Sequence, residues 1–315
     1  MYESVLGLNK PIFGLDIGYE TLKVMQLKGD GPGARLFGVA EVKIEPKTLG
    51  KDGIKNKKEA ALAIIAAMKA ARPHQINARV VSSALPESLV FTKSIDVPQM
   101  TPEEINKNIP YQAGEFFPIP PNEMYMDWQM VGALPGKNPA SPKAGSVDVL
   151  VVAAPRVIID SFAEVIKMAN LELSSLETKP VSDSRALINP KDPGPYLIVD
   201  IGAKSSSIIC FDQGTIKLTS TVSCGGDDLA RDFQPNNDNL ASEIIHLIKY
   251  YQNRIGQATI FRKILLCGGG SNTPNVAPSL EKATRIRTEI SWPVIKTKTY
   301  NPKFATVIGL AMKRI

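Results

Sequence analysis

The chain has 315 residues, of which 43% are hydrophobic and 22% are charged. This composition is typical of a globular protein, the length allows two domains with full cores, and a disordered chain is excluded. The net charge of +6 would suit an anionic partner, but the lysines are scattered along the sequence. Nucleic-acid-binding proteins concentrate such charge on one face, so we expect no nucleic-acid partner.

Two further classes are excluded by the order of the residues. No apolar run reaches the about 20 residues that span a bilayer, and residues 1–4 do not begin a signal peptide, so we expect a cytosolic protein. The three cysteines, Cys210, Cys224 and Cys267, lack Cys-x-x-Cys spacing. This favours buried thiols over a zinc site.

The first predicted element is a hairpin at residues 12–27, a buried strand that turns at Gly18 and returns with alternating apolar and polar residues. Asp16 ends the first strand. An acid at that position is uncommon unless it caps the turn or holds a cation near an anion. From this hairpin alone, the turn cap is the simpler interpretation.

The next segments complete a sheet and begin a second unit. The patterns predict a strand at 34–44, a helix at 59–71 and a strand at 78–83, followed by a strand at 88–97. Thr101 then starts a helix, because it is followed by proline and two acids, which suit the first turn.

The segment after this helix predicts the remainder of a compact inserted module. A strand at 124–130 follows a proline-rich turn, and residues 132–145 form a flexible loop. A strand at 147–154 and an amphipathic helix at 157–169 follow. A further helix is predicted at 181–187.

A second hairpin repeats the first. Residues 192–195 form a stiff connector of proline and glycine. Residues 196–211 then read as a strand, Asp200-Ile-Gly202, a small polar loop and a returning strand. Two such hairpins suggest duplicated domains that face each other across a cleft and grip a phosphate chain and its cation.

The last elements include a glycine turn. A strand at 215–223 and a helix at 241–254 precede a strand that ends in Gly268, Gly269 and Gly270. Three successive glycines let a flat ligand lie against the backbone.

These motifs together resemble the actin-like ATPase superfamily, in which two phosphate loops and an adenosine loop occur in this order. Within it, the chain is similar to the PilM family of type IV pilus assembly proteins, which is related to the division protein FtsA. The matching segments are residues 14–18 with Leu22 and Lys23, 151–156, 199–203, 225–229, 268–270, 301–302 and 308–311.

The resemblance implies an α/β, actin-like (ribonuclease H-like) two-domain fold with an inserted subdomain of the FtsA/PilM type. The implied units are a first domain of residues 1–87, 175–192 and 300–315, an inserted subdomain of 88–174 and a second domain of 193–299. Between Leu229 and Ala241 the chain is shorter than its relatives, which carry a helical lid there. We expect either a much reduced lid or a chain joined across missing residues.

The resemblance also implies ATP and Mg²⁺ as ligands, with Asp16 and Asp200 each orienting a magnesium-bound water. The implied nucleotide-binding residues are Asp16, Gly18, Lys23, Asp200, Gly202, Lys204, Gly225, Gly226, Gly268, Gly269 and Gly270. Lys23 could equally be a solvated strand lysine, and Gly225 and Gly226 could simply shape a turn. Glu177 occupies the position of a water-orienting catalytic residue, although a surface role is the alternative.

The implied function is that of a cytoplasmic nucleotide-binding scaffold, peripheral to the inner membrane and touching it only through partners. The implied partners are the N-terminal tail of PilN, other platform proteins and the pilus motor ATPases. A groove near Val80, Leu89 and Phe91 is the expected site for the PilN tail.

Two rival functions are an FtsA-like division actin and a small-molecule kinase. A kinase would need a further aspartate base in the cleft, and we find no candidate; FtsA ends in an amphipathic membrane helix, and residues 311–315 form none. We expect ATP binding with little or no hydrolysis. We expect Tyr19 and Glu20 to oppose binding if they lie beside the phosphates, with Lys204 offsetting part of this effect. The alternative is that both side chains point outward and have no effect.

Overall fold

The computed structural model describes residues 10–29, 31–98, 100–133, 146–255, 259–297 and 300–313. The strands in these ranges are β1 (Ile12–Ile17), β2 (Thr21–Lys28), β3 (Arg35–Lys43), β4 (Leu49–Gly50), β5 (Gly53–Ile54), β6 (Arg72–Pro73), β7 (Val80–Leu85), β8 (Phe91–Pro98), β9 (Met124–Ala133), β10 (Ser146–Pro155), β11 (Glu172–Thr178), β12 (Tyr196–Ile201), β13 (Ser206–Asp212), β14 (Thr215–Val222), β15 (Lys263–Cys267) and β16 (Thr288–Ile290). The helices are α1 (Lys57–Ala70), α2 (Pro102–Phe116), α3 (Arg156–Met168), α4 (Lys179–Leu187), α5 (Gly226–Arg231), α6 (Phe233–Ile255), α7 (Val276–Thr284) and α8 (Ala305–Ala311).

The first sheet has the strand order β11-β7-β1-β2-β3-β6, with β1 antiparallel to β2 and parallel to β7. Phe13, Leu15 and Ile17 of β1 are fully buried in a core that includes residues of α1 and α3. Because side chains alternate along a strand, Gly14 and Asp16 face the opposite side. That side carries α4 and α8.

The second sheet repeats this arrangement with the order β14-β13-β12-β15-β16. Leu197, Val199 and Ile201 of β12 pack in a core with α6 and α7, whereas Ile198 belongs to a different core. Asp200 therefore lies on the same face as Ile198. The two aspartates predicted from the repeated hairpins thus occupy equivalent places in two sheets.

Helices α4 and α8 lie between the two large sheets and share a core with residues of β2, β12 and β13. Every residue of α8 is buried. A helix that is apolar on all sides shows no amphipathic pattern, which explains why sequence periodicity did not predict it. Gly14 of β1 allows α8 to approach, because a Cβ there would lie 2.5 Å from the carbonyl oxygen of Val307.

A third sheet, β8-β10-β9, forms the inserted unit and is covered by α2. The predicted start of α2 is confirmed, since the Thr101 hydroxyl accepts from the backbone N–H of Glu104 and the Glu104 carboxylate accepts from the backbone of Thr101. Helix α3 falls in the predicted inserted subdomain, 88–174, but its side chains pack in the core of the first sheet. The division into domains stays a prediction.

The largest boundary difference is in α6, which begins at Phe233 rather than at residue 241. Pro235 lies in its first turn, where no backbone donor is needed. Asn237 is buried and donates to the Ser279 hydroxyl at 2.8 Å, which ties this turn to α7. Helix α5 and the start of α6 therefore occupy the segment where the lid was expected, and no further subdomain lies between these two helices.

Three further expectations concern the loop at residues 132–145, membrane-spanning helices and the cysteines. Most of the loop expected at 132–145 lies outside the described residues. Within the described part, no helix combines the length and the apolarity needed to cross a membrane. The three cysteines are buried free thiols, as predicted.

Candidate functional site

A cleft of about 370 Å³ opens where the two hairpins face each other. Its walls are the turn after β1, the turn after β12, the glycine turn after β15 and the first residue of α4. Ten of the eleven predicted nucleotide-binding residues line it: Asp16, Gly18, Lys23, Asp200, Gly202, Lys204, Gly226, Gly268, Gly269 and Gly270. Gly225 lies behind the wall, where a Cβ would be 2.2 Å from the carbonyl oxygen of Ala203.

The three glycines after β15 have different roles. Gly268 has φ +81°, and a Cβ there would lie 2.2 Å from the Asp200 carboxylate, so the fold itself requires glycine. A Cβ on Gly270 would lie 2.3 Å from the Ile201 side chain. At Gly269 the nearest atom is 4.0 Å away, on Lys303. Gly269 is therefore the position where the backbone is open to a ligand.

Asp16 lies at the floor of the cleft and is 3% exposed. The Lys179 ammonium is 3.0 Å from its Oδ1 atom, and the Lys23 ammonium is 4.0 Å from Oδ2. Burial would raise the pKa of Asp16, but the two lysines outweigh burial and hold the pKa below its ordinary value. The carboxylates of Asp16, Asp200 and Asp183 raise the pKa of Lys179, although burial alone would lower it. Asp16 and Lys179 thus form an internal ion pair.

Asp200 is close to two other buried groups, Asp183 and Cys267, with one ligand atom of each within 4.8 Å of the others. Burial raises the pKa of both Asp183 and Asp200, and the charge of Asp200 adds to this effect at Asp183, whereas Lys179 acts in the opposite direction on both. Asp183 accepts a hydrogen bond from the Thr306 hydroxyl at 2.7 Å. Burial also raises the pKa of the Cys267 thiol. Burial therefore opposes the ionisation of all three groups.

The tips of the two hairpins are joined by Lys204. Its ammonium lies 3.4 Å from Glu20 of the first hairpin and 2.5 Å from Asp227. Lys204 therefore lies beside Glu20, where sequence analysis expected it to compensate the carboxylate. Tyr19 and Glu20 both line the cleft, and the Tyr19 hydroxyl is 3.0 Å from the Ser88 hydroxyl.

Glu177 does not reach the cleft. Its carboxylate accepts from both terminal nitrogens of Arg185, at 2.6 and 3.0 Å, and from Lys313 at 3.0 Å. The structure therefore offers no support for Glu177 as the catalytic residue. Lys179, two residues further along the chain, faces the cleft instead.

Sequence reasoning missed Lys179 and Lys303, which both line the cleft. Lys179 is the first residue of α4, where the helix dipole disfavours a cation. A lysine at that position is a signal that an anion lies nearby, and it could have been noticed. Lys303 forms an ion pair with Glu41, which is 262 residues away in sequence, and no local pattern indicates that pairing.

A second concave surface of about 300 Å³, here called the edge groove, lies between β8 and β14. Both are edge strands of their sheets. Phe91, one of the three residues near which the sequence placed the partner groove, lines the edge groove, whereas Val80 and Leu89 are buried, with 4% and 6% of their surface exposed. The position of the partner groove stays a prediction. The lining residues of the edge groove are Glu87, Val90, Phe91, Thr92, Lys93, Phe116, Phe117, Thr219, Ser220 and Thr221.

Glu87 lines both the cleft and the edge groove. Its Oε1 atom accepts from Thr92 at 3.1 Å and from Thr219 at 2.7 Å, and Oε2 has no hydrogen-bond partner among the described residues. Burial raises the pKa of Glu87, although the two hydroxyl donors oppose this effect. One buried carboxyl thus forms part of the wall between the two concavities.

Comparison with solved structures identifies the fold. The structure titled PilM-PilN type IV pilus biogenesis complex has a TM-score of 0.81 with 22% identity, over 96% of this chain and 98% of that chain. EutJ, an ethanolamine utilization protein from Carboxydothermus hydrogenoformans, has a TM-score of 0.55 with 13% identity, over 98% and 93% of the two chains. MreB5 of Spiroplasma citri bound to ADP has a TM-score of 0.52 with 13% identity, over 95% and 94%.

The fold is therefore the actin-like ATPase fold, which includes proteins solved with bound nucleotide. Among curated protein sequences, no significant match to this chain is found. The family described as type IV pilus assembly protein PilM matches residues 14–236, which is more than half of the chain. On this match, the chain belongs to the type IV pilus assembly protein PilM family.

Proposed function

We propose that this protein is a nucleotide-binding scaffold of the type IV pilus assembly platform, located at the cytoplasmic side of the inner membrane through its partners. ATP is the nucleotide and the N-terminal tail of PilN is the partner. The observation that carries the nucleotide proposal is the cleft between two Asp-x-Gly hairpins, with the open backbone at Gly269 on one wall.

The charges in the cleft suit a phosphate chain. Four lysines line it: Lys23, Lys179, Lys204 and Lys303. Each forms an ion pair with a carboxylate in the same cleft. Phosphate oxygens compete for these ammonium groups, while the adenosine lies against the glycine turn. Competition of this kind predicts weaker binding than in a cleft whose lysines are free.

Hydrolysis is expected to be negligible. A general base must be ionised and within reach of the attacking water. Glu177 is held by Arg185 and Lys313. Burial raises the pKa of both Glu87 and Asp200, which opposes their ionisation. The ionised Asp16 is neutralised by Lys179. Nucleotide binding therefore acts as a structural signal in this proposal.

The edge groove is our candidate for the PilN tail. The groove lies between two edge strands, each of which pairs with only one neighbouring strand among the described residues, and such an edge can accept an extended segment. Phe91 and Phe117 provide an apolar contact, with ring centroids 5.8 Å apart. The solved complex of a PilM with PilN supports the identity of the partner.

The nucleotide proposal is tested by calorimetric titration of ATP into the wild type and two glycine variants. Gly269→Val places a side chain in the open wall and should weaken binding at least about tenfold, which corresponds to about 1.4 kcal/mol. Gly33→Val is the matched control, because no atom lies within 4 Å of a Cβ there. Equal affinities of the two variants would contradict the proposed position of the nucleotide.

The partner proposal is tested with a synthetic peptide of the PilN tail. Phe91→Ala should weaken its binding at least about tenfold, because the ring forms part of the groove floor. Tyr111→Ala is the control, since this aromatic residue is 82% exposed on α2. Binding that is unaffected by Phe91→Ala would place the peptide elsewhere.

A further inference from the structure

The ammonium group of Lys179 lies at the floor of the cleft beside Asp16, where the resemblance implied Mg²⁺. A hydrated Mg²⁺ needs carboxylate oxygens that are free to accept hydrogen bonds from its waters or to bind it directly. Oδ1 of Asp16 faces the Lys179 ammonium at 3.0 Å, and Oδ2 faces the Lys23 ammonium at 4.0 Å. Both oxygens therefore lie near positive charges, which would repel a divalent cation held there, although Oδ1 has no hydrogen-bond partner among the described residues.

The other carboxylate does not compensate for this. Asp200 also lines the cleft, and one ligand atom each of Asp200, Asp183 and Cys267 lies within 4.8 Å of the others. The charge of Lys179 acts on Asp200 too, so the same ammonium group would compete with a cation at this carboxylate. Asp183 already accepts from Thr306. The residues present therefore do not fit a magnesium ion as the sequence analysis expected.

Lys179 cannot easily leave the floor of the cleft. It is the first residue of α4, it is followed by the buried Pro180, and its own side chain is 16% exposed. Its charge acts on Asp200 as well as on Asp16. Together, Lys179 and Lys23 bring two positive charges to Asp16, which equals the charge of one Mg²⁺. Both ammonium groups remain within reach of a phosphate chain that enters the cleft.

We propose that this cleft binds the phosphate groups of a nucleotide without a divalent cation, with the ammonium group of Lys179 replacing the metal beside Asp16. The inference rests on the proposed nucleotide binding and specifies its ligand as the metal-free nucleotide. It replaces the expectation that Asp16 and Asp200 orient magnesium-bound water.

The first experiment titrates ATP into the wild-type protein in excess EDTA and again in excess Mg²⁺. We expect affinities that agree within about threefold, because the cleft supplies its own positive charge. Binding in Mg²⁺ alone would overturn the inference while leaving the proposed function in place. Binding in neither condition would overturn the proposed function.

The second experiment removes the ammonium group. Lys179→Met should weaken ATP binding at least about tenfold in EDTA, and added Mg²⁺ should restore part of it, because Asp16 is then free to hold the cation. Lys57→Met is the matched control, since Lys57 pairs with Glu164 outside the cleft. Equal binding by Lys179→Met and the wild type in EDTA would overturn the inference.

A third measurement uses the wild type alone and does not depend on the folding of a variant. Mn²⁺ is paramagnetic and serves as a probe of magnesium sites. We expect its spectrum at millimolar concentration to remain that of the free ion when the protein is added without nucleotide. Stoichiometric loss of the free Mn²⁺ signal, reversed by excess Mg²⁺, would contradict the role of Lys179.

Discussion

Replacement of Gly309 by alanine tests whether the contact between α8 and α4 limits the stability of the fold. A Cβ at this position would lie 1.8 Å from the carbonyl oxygen of Ser182 and 2.5 Å from its carbonyl carbon. Real Cβ atoms do not approach other atoms within 3.0 Å, so the two helices must separate by at least 1.2 Å. Helix α8 cannot simply move away from α4, because it also packs closely against Gly14 of β1.

The magnitude follows from two opposing effects. Overpacking of a buried contact costs about 1–3 kcal/mol, and a clash with backbone on both sides of α8 belongs at the upper end. Alanine favours the helix over glycine by about 1 kcal/mol. We therefore expect a net loss of about 2 kcal/mol. For a chain of this size, each kcal/mol lowers the melting temperature by about 2–4 °C, which gives a decrease of roughly 4–8 °C.

The assay is thermal unfolding followed by circular dichroism, with Gly33→Ala as the matched control. Gly33 is exposed and has no neighbouring atom within 4 Å of a Cβ, so this variant should melt like the wild type. Because α4 also carries Lys179, Gly309→Ala should weaken ATP binding as well. A melting temperature of Gly309→Ala within about 1 °C of the wild type would refute the reasoning.

Three further predictions concern buried charges. Burial raises the pKa of Glu87, so the ionised carboxylate destabilises the native state at high pH, and this penalty is absent below the ordinary pKa of 4.5. In urea unfolding, Glu87→Gln should therefore raise the free energy of unfolding by about 1 kcal/mol at pH 8 and leave it unchanged at pH 4. Arg254→Met removes the guanidinium 2.9 Å from the buried Asp148 and should cost about 3 kcal/mol, and an unchanged urea midpoint would contradict this. Glu177→Gln should lower the melting temperature by weakening the pair with Arg185 but leave any basal phosphate release unchanged, and a large decrease in that rate would restore Glu177 as a catalytic candidate.

The sequence by itself determined the elements whose signals are local. The two hairpins follow from alternation of apolar and polar residues. Gly18 and Gly202 lie in their turns, where a Cβ would be 3.1 and 3.0 Å from a backbone oxygen. Thr101 and Glu104 lie three residues apart and make the cap of α2 predictable. The repeat of the hairpin indicated two facing domains, and the resemblance to the actin-like ATPases implied ten residues that line the cleft.

The tertiary structure alone decided which charges meet. The Glu177 carboxylate pairs with Lys313, which lies 136 residues away, and Lys179 of α4 pairs with Asp16 of β1. Helix α3 joins the core of the first sheet although it follows the inserted strands in sequence. Periodicity and capping describe neighbours within a few residues, whereas the partner of a buried charge depends on how distant elements pack. The exchange of a metal ion for a lysine at the floor of the cleft is a consequence of that packing.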